Sequence, residues 1–130
     1  MVLGPRQFEW DTSGKGAVLC IWSIYLTVQA RVATCGLARR PVDDAIDKAI
    51  VTIDEFVLSN FSLRPTRPML EDFKRRASES ELNSMRRLDQ KKICEGRDLE
   101  VFRSLGPDKI RETIQSLLAL PREPVMNPCL

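Results

Sequence analysis

The sequence predicts an all-α protein, a small bundle of three to five helices preceded by an apolar N-terminal helix. Three observations lead there. Apolar residues recur at three- and four-residue steps over long stretches, the repeat of one helix face. No segment after Arg40 sustains the two-residue alternation of a half-buried strand. Prolines open, break or end the periodic stretches, as they do at helix boundaries.

The chain has 130 residues, enough for one domain or one domain plus a removable segment. Apolar residues make up 43% and charged residues 29%, the balance of a soluble globular protein. The net charge of +2 sets up no global field toward nucleic acid or membrane. Histidine is absent, which removes Ser–His–Asp and Cys–His nucleophile sets and every His-ligated metal site. Trp10, Trp22 and Tyr25 hold all the tryptophan and tyrosine, so the two ends of the chain differ in composition.

The first apolar stretch runs uncharged from Ala17 to Ala30. It is shorter than the roughly 20 residues a membrane-spanning helix needs, and Arg31 interrupts it. Its length suits the h-region of a secretory signal, Lys15 precedes it, and Val28-Gln29-Ala30 offers a cleavage pattern. The expected organisation is therefore a signal over residues 1–30, with a long n-region, and a single helical domain over residues 31–130. Glu9 and Asp11 in the n-region, and Trp22 and Tyr25 in the apolar run, are unusual for a signal. The alternatives are an anchor retained over residues 17–33 and an ordinary buried helix. Val32-Ala33-Thr34-Cys35 loosely matches a lipidated-cysteine pattern, with an atypical Thr before the cysteine.

Removing residues 1–30 would discard Cys20 and leave Cys35, Cys94 and Cys129. The tail after Pro121 is rich in proline and cannot continue a helix. A Cys94–Cys129 bridge would tie that tail down, leaving Cys35 free or lipidated; Cys35–Cys94 is the competing pairing. No C-x-x-C spacing is present to suggest a zinc or thioredoxin-type site.

Beyond the polar lead-in to Arg40, Pro41 suits the first turn of a helix and Asp43 and Asp44 suit the positive end of its dipole. Val42, Ala45, Ile46, Ala49, Ile50, Ile53, Phe56, Val57 and Phe61 then form one apolar stripe. "SLRPTRP" breaks the pattern. Thr66 can cap, and Pro68 opens a second helix through Met69, Leu70, Phe73 and Ala77. Ser78 and Glu81 have capping-box spacing, so this helix either kinks near Ser78 or gives way to another. Cys94 falls in an expected loop with Gly96. A short helix spans Asp98 to Leu105. After Gly106, a last helix carries Ile110, Ile114, Leu117 and Leu118 on one face and ends before Pro121.

Candidate chemistry is sparse. "DTSGKGAV" resembles a phosphate loop but has Gly16 where Ser or Thr should hold magnesium, and no strand before it. The carboxylate pairs Asp54-Glu55, Glu71-Asp72 and Glu79/Glu81 read as solvated helix faces, since adjacent residues on a helix do not face each other. Asn60-Phe61-Ser62 is a glycosylation triplet that matters only for eukaryotic secretion. No cofactor, metal or small-molecule substrate is implied.

The segment from residue 74 to 92 is basic, but Glu79, Glu81 and Asp89 dilute it and no aromatics interleave, so nucleic acid is a weak expectation. Arg75, Arg76, Arg86 and Arg87 are the candidate contact residues. They fall about three helical turns apart and share a face if the helix runs through Ser78. The expectation is a small exported protein, periplasmic or secreted, that binds a protein partner without catalysis, as an inhibitor, immunity-type factor, adaptor or envelope chaperone. The alternatives are a membrane-tethered accessory subunit and a cytosolic nucleic-acid-associated helical protein.

Overall fold

A computed structural model describes residues 5–87 and 90–129. It is all-α, as the periodicity predicts. The helices are α1 (Val18–Thr34), α2 (Pro41–Asn60), α3 (Arg67–Arg87), α4 (Gln90–Cys94), α5 (Arg97–Ser104) and α6 (Pro107–Leu117). A single 3₁₀ turn, Pro5–Phe8, precedes them.

The apolar run read as an export signal forms α1, the central helix. Val18, Leu19, Trp22, Tyr25, Leu26, Val28 and Val32 are buried in it, and it packs on α2 and α3. The Trp22 ring stacks on Phe73 with centroids 5.1 Å apart. Its Nε1–H donates to Asp54 Oδ1 at 3.0 Å, and Lys74 Nζ donates to Asp54 Oδ2 at 2.6 Å. Both carboxylate oxygens of a buried Asp are thus satisfied, which is what makes the burial of this charge tolerable. Burial still pushes the Asp54 carboxyl above its ordinary range, outweighing Lys74 and Trp22. Among the described residues, no helix is long and apolar enough to cross a membrane.

The α2 stripe is the core face the spacing predicts: Val42, Ala45, Ile46, Ala49, Ile50, Ile53 and Val57 are buried, and Phe61 is buried just past the helix end. At its start the Asp43 carboxylate accepts the Arg40 N–H at 2.8 Å. Thr66 caps α3 as expected, its hydroxyl accepting the Met69 N–H at 3.3 Å. The question at Ser78 is answered by one helix that continues through it to Arg87. Leu70, Phe73 and Met85 bury their side chains along it.

Two short helices close the fold. Leu99 and Arg103, four residues apart, are the buried face of α5. Arg103 donates to both Asp43 oxygens, Nε at 3.1 Å and Nη2 at 2.9 Å, and to the Ala38 carbonyl at 2.6 Å. Burial alone would raise the Asp43 pKa, but Arg103 and the Arg40 N–H hold it below the usual carboxylate range. The turn into α6 places Gly106 at φ 82°, a left-handed conformation that glycine adopts without strain. Ile110, Ile114 and Leu117 then bury α6 against α2.

The proline-rich tail is tied down, but not by the bridge expected first. Cys94 does not pair with Cys129. Cys129 pairs with Cys20, at 109 residues' separation, and Cys94 takes Cys35, the competing partner. The reason is spatial. Beyond α6 the chain runs back across the start of α1, so its last cysteine meets the first turn of that helix. Cys94 ends α4 rather than lying in a loop, beside the other end of α1.

Polar contacts hold the returning strap along its length. The Val125 carbonyl accepts the Leu19 N–H at 3.0 Å, satisfying a donor that the first turn of α1 leaves open. Arg122 donates to Asp11 Oδ2 at 2.7 Å and to the Gly16 carbonyl at 2.7 Å. Glu123 accepts the Ser62 N–H and hydroxyl. Trp10 and Asn127 form an isolated bridge.

Candidate functional site

The docking of α6 on α2 leaves a gap on the other side of α1. An open groove of about 820 Å³ fills it. Its floor is α1, through Ala17, Cys20, Ile21 and Ile24. Phe102 of α5 makes one wall, and Lys109, Glu112, Thr113, Ser116 and Leu117 of α6 make the other. Lys15 and Gly16 of the entry loop and Pro128 of the strap close one end. The lookalike phosphate loop therefore serves as the lead-in to α1 and as the rim of an apolar cleft.

A second hollow of about 260 Å³ continues the groove along α1, through Ser23, Thr27, Val28 and Arg31, with Asp98 and Leu99 opposite. Ile24 and Phe102 line both hollows, so they are one track along the helix. The positions Ile21, Ile24, Val28 and Arg31 step by three and four residues, which keeps them on one face of α1. Val101 precedes Phe102 on α5, and Leu105 caps the helix at its C-terminal end. Both are exposed, at 57% and 44%. The result is a trough with an apolar floor, an arrangement that accepts a long ligand lying along α1.

Most described arginines are ion-paired, including Arg31 to Glu81 at 2.6 Å and Arg39 to Asp44 and Asp47. At the groove, Lys15, Lys109 and Glu112 make no ion pair among the described residues, although Lys109 and Glu112 lie one turn apart on α6.

The arginines expected to form a contact surface are placed differently. Arg75 pairs with Asp72 at 2.6 Å and with Glu79 at 2.9 Å, and Arg76 pairs with Asp72 at 3.1 Å, all within α3. Arg86 is exposed. The continuity of α3 meets the condition for Arg75 and Arg86 to share a face; the Arg87 side chain lies outside the described residues. Lys74, at the start of the basic segment, is turned inward to Asp54 and Glu71. Sequence reasoning missed the groove because its residues come from four separate stretches, from Lys15 to Pro128. Among the described residues, no cluster of acidic and cysteine side chains could hold a metal ion.

The chain matches no family model, and no curated protein or solved structure is similar to it.

Proposed function

We propose that this protein is an exported, disulfide-stapled helical binding module that holds a segment of a protein partner in the groove along α1. The observation that carries the reading is the open apolar track through Ile21, Ile24 and Phe102. An enclosed cavity would suit a small ligand; a trough open along its length suits a helix laid into it. The work assigned to the protein is capture, not catalysis.

Two disulfides within so short a chain fit an oxidising compartment. A periplasmic or secreted location follows as part of the proposal. Within it, α1 stays with the mature domain. Cleavage after Ala30 would remove Trp22, Tyr25 and the Cys20 half of a bridge, and with them the floor of the groove.

Two measurements test this. Protein recovered from an exporting host should keep α1 in its intact mass and gain about 4 Da on reduction, two hydrogens for each bridge. A mature chain beginning at Arg31 would overturn the reading. The second is crosslinking capture from the native compartment, comparing wild type with Ile24→Asp and with the double reversal Arg75→Glu/Arg86→Glu. Ile24→Asp should abolish capture while leaving the fold intact by circular dichroism. Loss only in the arginine variant would move the contact surface to α3.

A further inference from the structure

We infer that the Cys20–Cys129 bridge is a thiol–disulfide exchange site, open to an incoming dithiol, while Cys35–Cys94 is a structural bridge. The inference goes beyond the groove reading and does not depend on what lies in the groove.

The two bridges share α1 and sit at its opposite poles. Cys20 is the third residue of that helix and Cys35 is its C-cap. A thiolate is stabilised at the positive end of a helix and disfavoured at the negative end. No side chain caps the start of α1, so its positive end stays open. Exposure separates the sulfurs further. Cys129 is exposed and Cys20 only 4% so, which makes Cys129 the point of attack and Cys20 the sulfur that leaves. Access at one sulfur and a stabilised thiolate at the other are the two conditions for fast exchange, and here they fall in the productive order.

At the other bridge they do not. Cys35 and Cys94 are both half-buried. Attack on Cys94 expels Cys35 at the negative end of α1, where Arg31, one turn earlier, is held by Glu81. Lys91 and Lys92 favour Cys94 as the leaving sulfur, but expelling it requires attack on half-buried Cys35.

The exchange runs in two steps. One thiolate of the dithiol attacks Cys129 Sγ, the bond to Cys20 breaks, and Cys20 leaves as a thiolate. The second thiolate of the dithiol then attacks the mixed disulfide and expels Cys129. The dithiol ends as a disulfide, and its two protons end on Cys20 and Cys129. The structural consequence is local. The Asn127 side chain donates to the Phe8 carbonyl at 2.8 Å, and the Asn127 carbonyl accepts the Asp11 N–H at 2.8 Å, so the strap stays anchored up to that residue. Reduction frees Pro128, which closes one end of the groove.

The probe is dithiothreitol at limiting concentration, acting on the full, oxidised protein under native conditions. Thiols are trapped with iodoacetamide at intervals and located by peptide mapping. Cys20 and Cys129 should be labelled at least about tenfold faster than Cys35 and Cys94, with far-ultraviolet circular dichroism unchanged. Earlier labelling of Cys35 and Cys94, or labelling of all four only as helicity is lost, would overturn the inference. Glutathione followed by acid quenching should leave its adduct on Cys129; an adduct on Cys20 would reverse the direction of attack and overturn it too. In Cys35→Ser/Cys94→Ser the remaining bridge should react at its wild-type rate. Acceleration there would show that exchange follows unfolding and not the site. None of these readouts involves Ile24 or partner capture, so this inference and the groove reading fail separately.

Discussion

The two sides of α1 are built from the same apolar run and do different things. Toward α2 and α3 the helix is closed. Trp22 is fully buried against Phe73, and the polar atoms there are consumed by the Trp22–Asp54–Lys74 chain. Toward α5 and α6 the helix is open. Ile21 and Ile24 are only partly covered, and the charges at the rim have no partner among the described residues. The difference lies in the neighbours more than in α1. Helix α2 receives α1, α5 and α6, and once α6 settles on α2 it stands away from α1. A site is thus produced by where a second-layer helix docks, without any special residue in the helix that forms its floor.

The largest expected effect comes from attacking the closed side. Trp22→Ala removes a wholly buried indole, its stack on Phe73 and a donor to Asp54. Large-to-small substitutions of buried aromatics cost about 3–5 kcal/mol, and here an unsatisfied carboxylate oxygen is added. Urea unfolding should show that loss as a lower midpoint. A stability change below about 1 kcal/mol would mean that α1 is not the core of the fold.

The two disulfides sit at opposite ends of α1 and separate stability from binding. Replacing either pair by serine should cost about 2–5 kcal/mol. The closed loops differ, with separations of 109 and 59 residues, but the logarithm in the chain-entropy model makes that worth only about 0.5 kcal/mol. Binding should divide them more sharply. Cys20 and Pro128 line the groove, so Cys20→Ser/Cys129→Ser should release the end wall and weaken peptide capture. Cys35→Ser/Cys94→Ser should leave capture intact at temperatures where the domain stays folded. Equal losses of binding from both pairs would show that the groove responds to global stability and not to its own wall.

How much of this was legible depends on the range of the interactions. The stripes of α2 and α6 are local, and Val42 to Val57 and Ile110 to Leu117 went where three- and four-residue spacing sends them. The Ala17–Ala30 run is ambiguous for a physical reason: an export signal and a core helix need the same apolar length. What separates them is distant. Asp54 waits for the Trp22 N–H, and Cys129 for Cys20, and neither partner is marked by local pattern. The preference for Cys94–Cys129 followed from setting Cys20 aside, so one decision about the first helix carried into the disulfides. The arginines of α3 drew attention because charge is visible in a sequence. Their partners Asp72 and Glu79 lie three or four residues away and were equally visible, and those pairs already occupy Arg75 and Arg76.

The smallest effect, a difference in pH dependence, tests the same contrast through two buried aspartates. Asp54, on the closed side, has its pKa raised by burial, and Asp43, which anchors the α5 wall, has it lowered by Arg103 and the Arg40 N–H despite burial. The signs oppose. A folded-state pKa above the unfolded value of about 3.9 means that the native state holds more protons, so Asp54's contribution is full below that value and is lost as pH rises through the raised pKa. Asp43's contribution is present above the unfolded value and is lost as pH falls through its lowered pKa. Urea unfolding measured from roughly pH 3 to pH 7 should therefore respond in opposite directions to Asp54→Asn and Asp43→Asn. Removing the Asp54 titration should steepen the rise of stability with pH, and removing that of Asp43 should flatten it. Parallel pH profiles for the two variants would mean that both carboxylates sit in equivalent surroundings, and the distinction between a closed core and an anchored wall would fall with it.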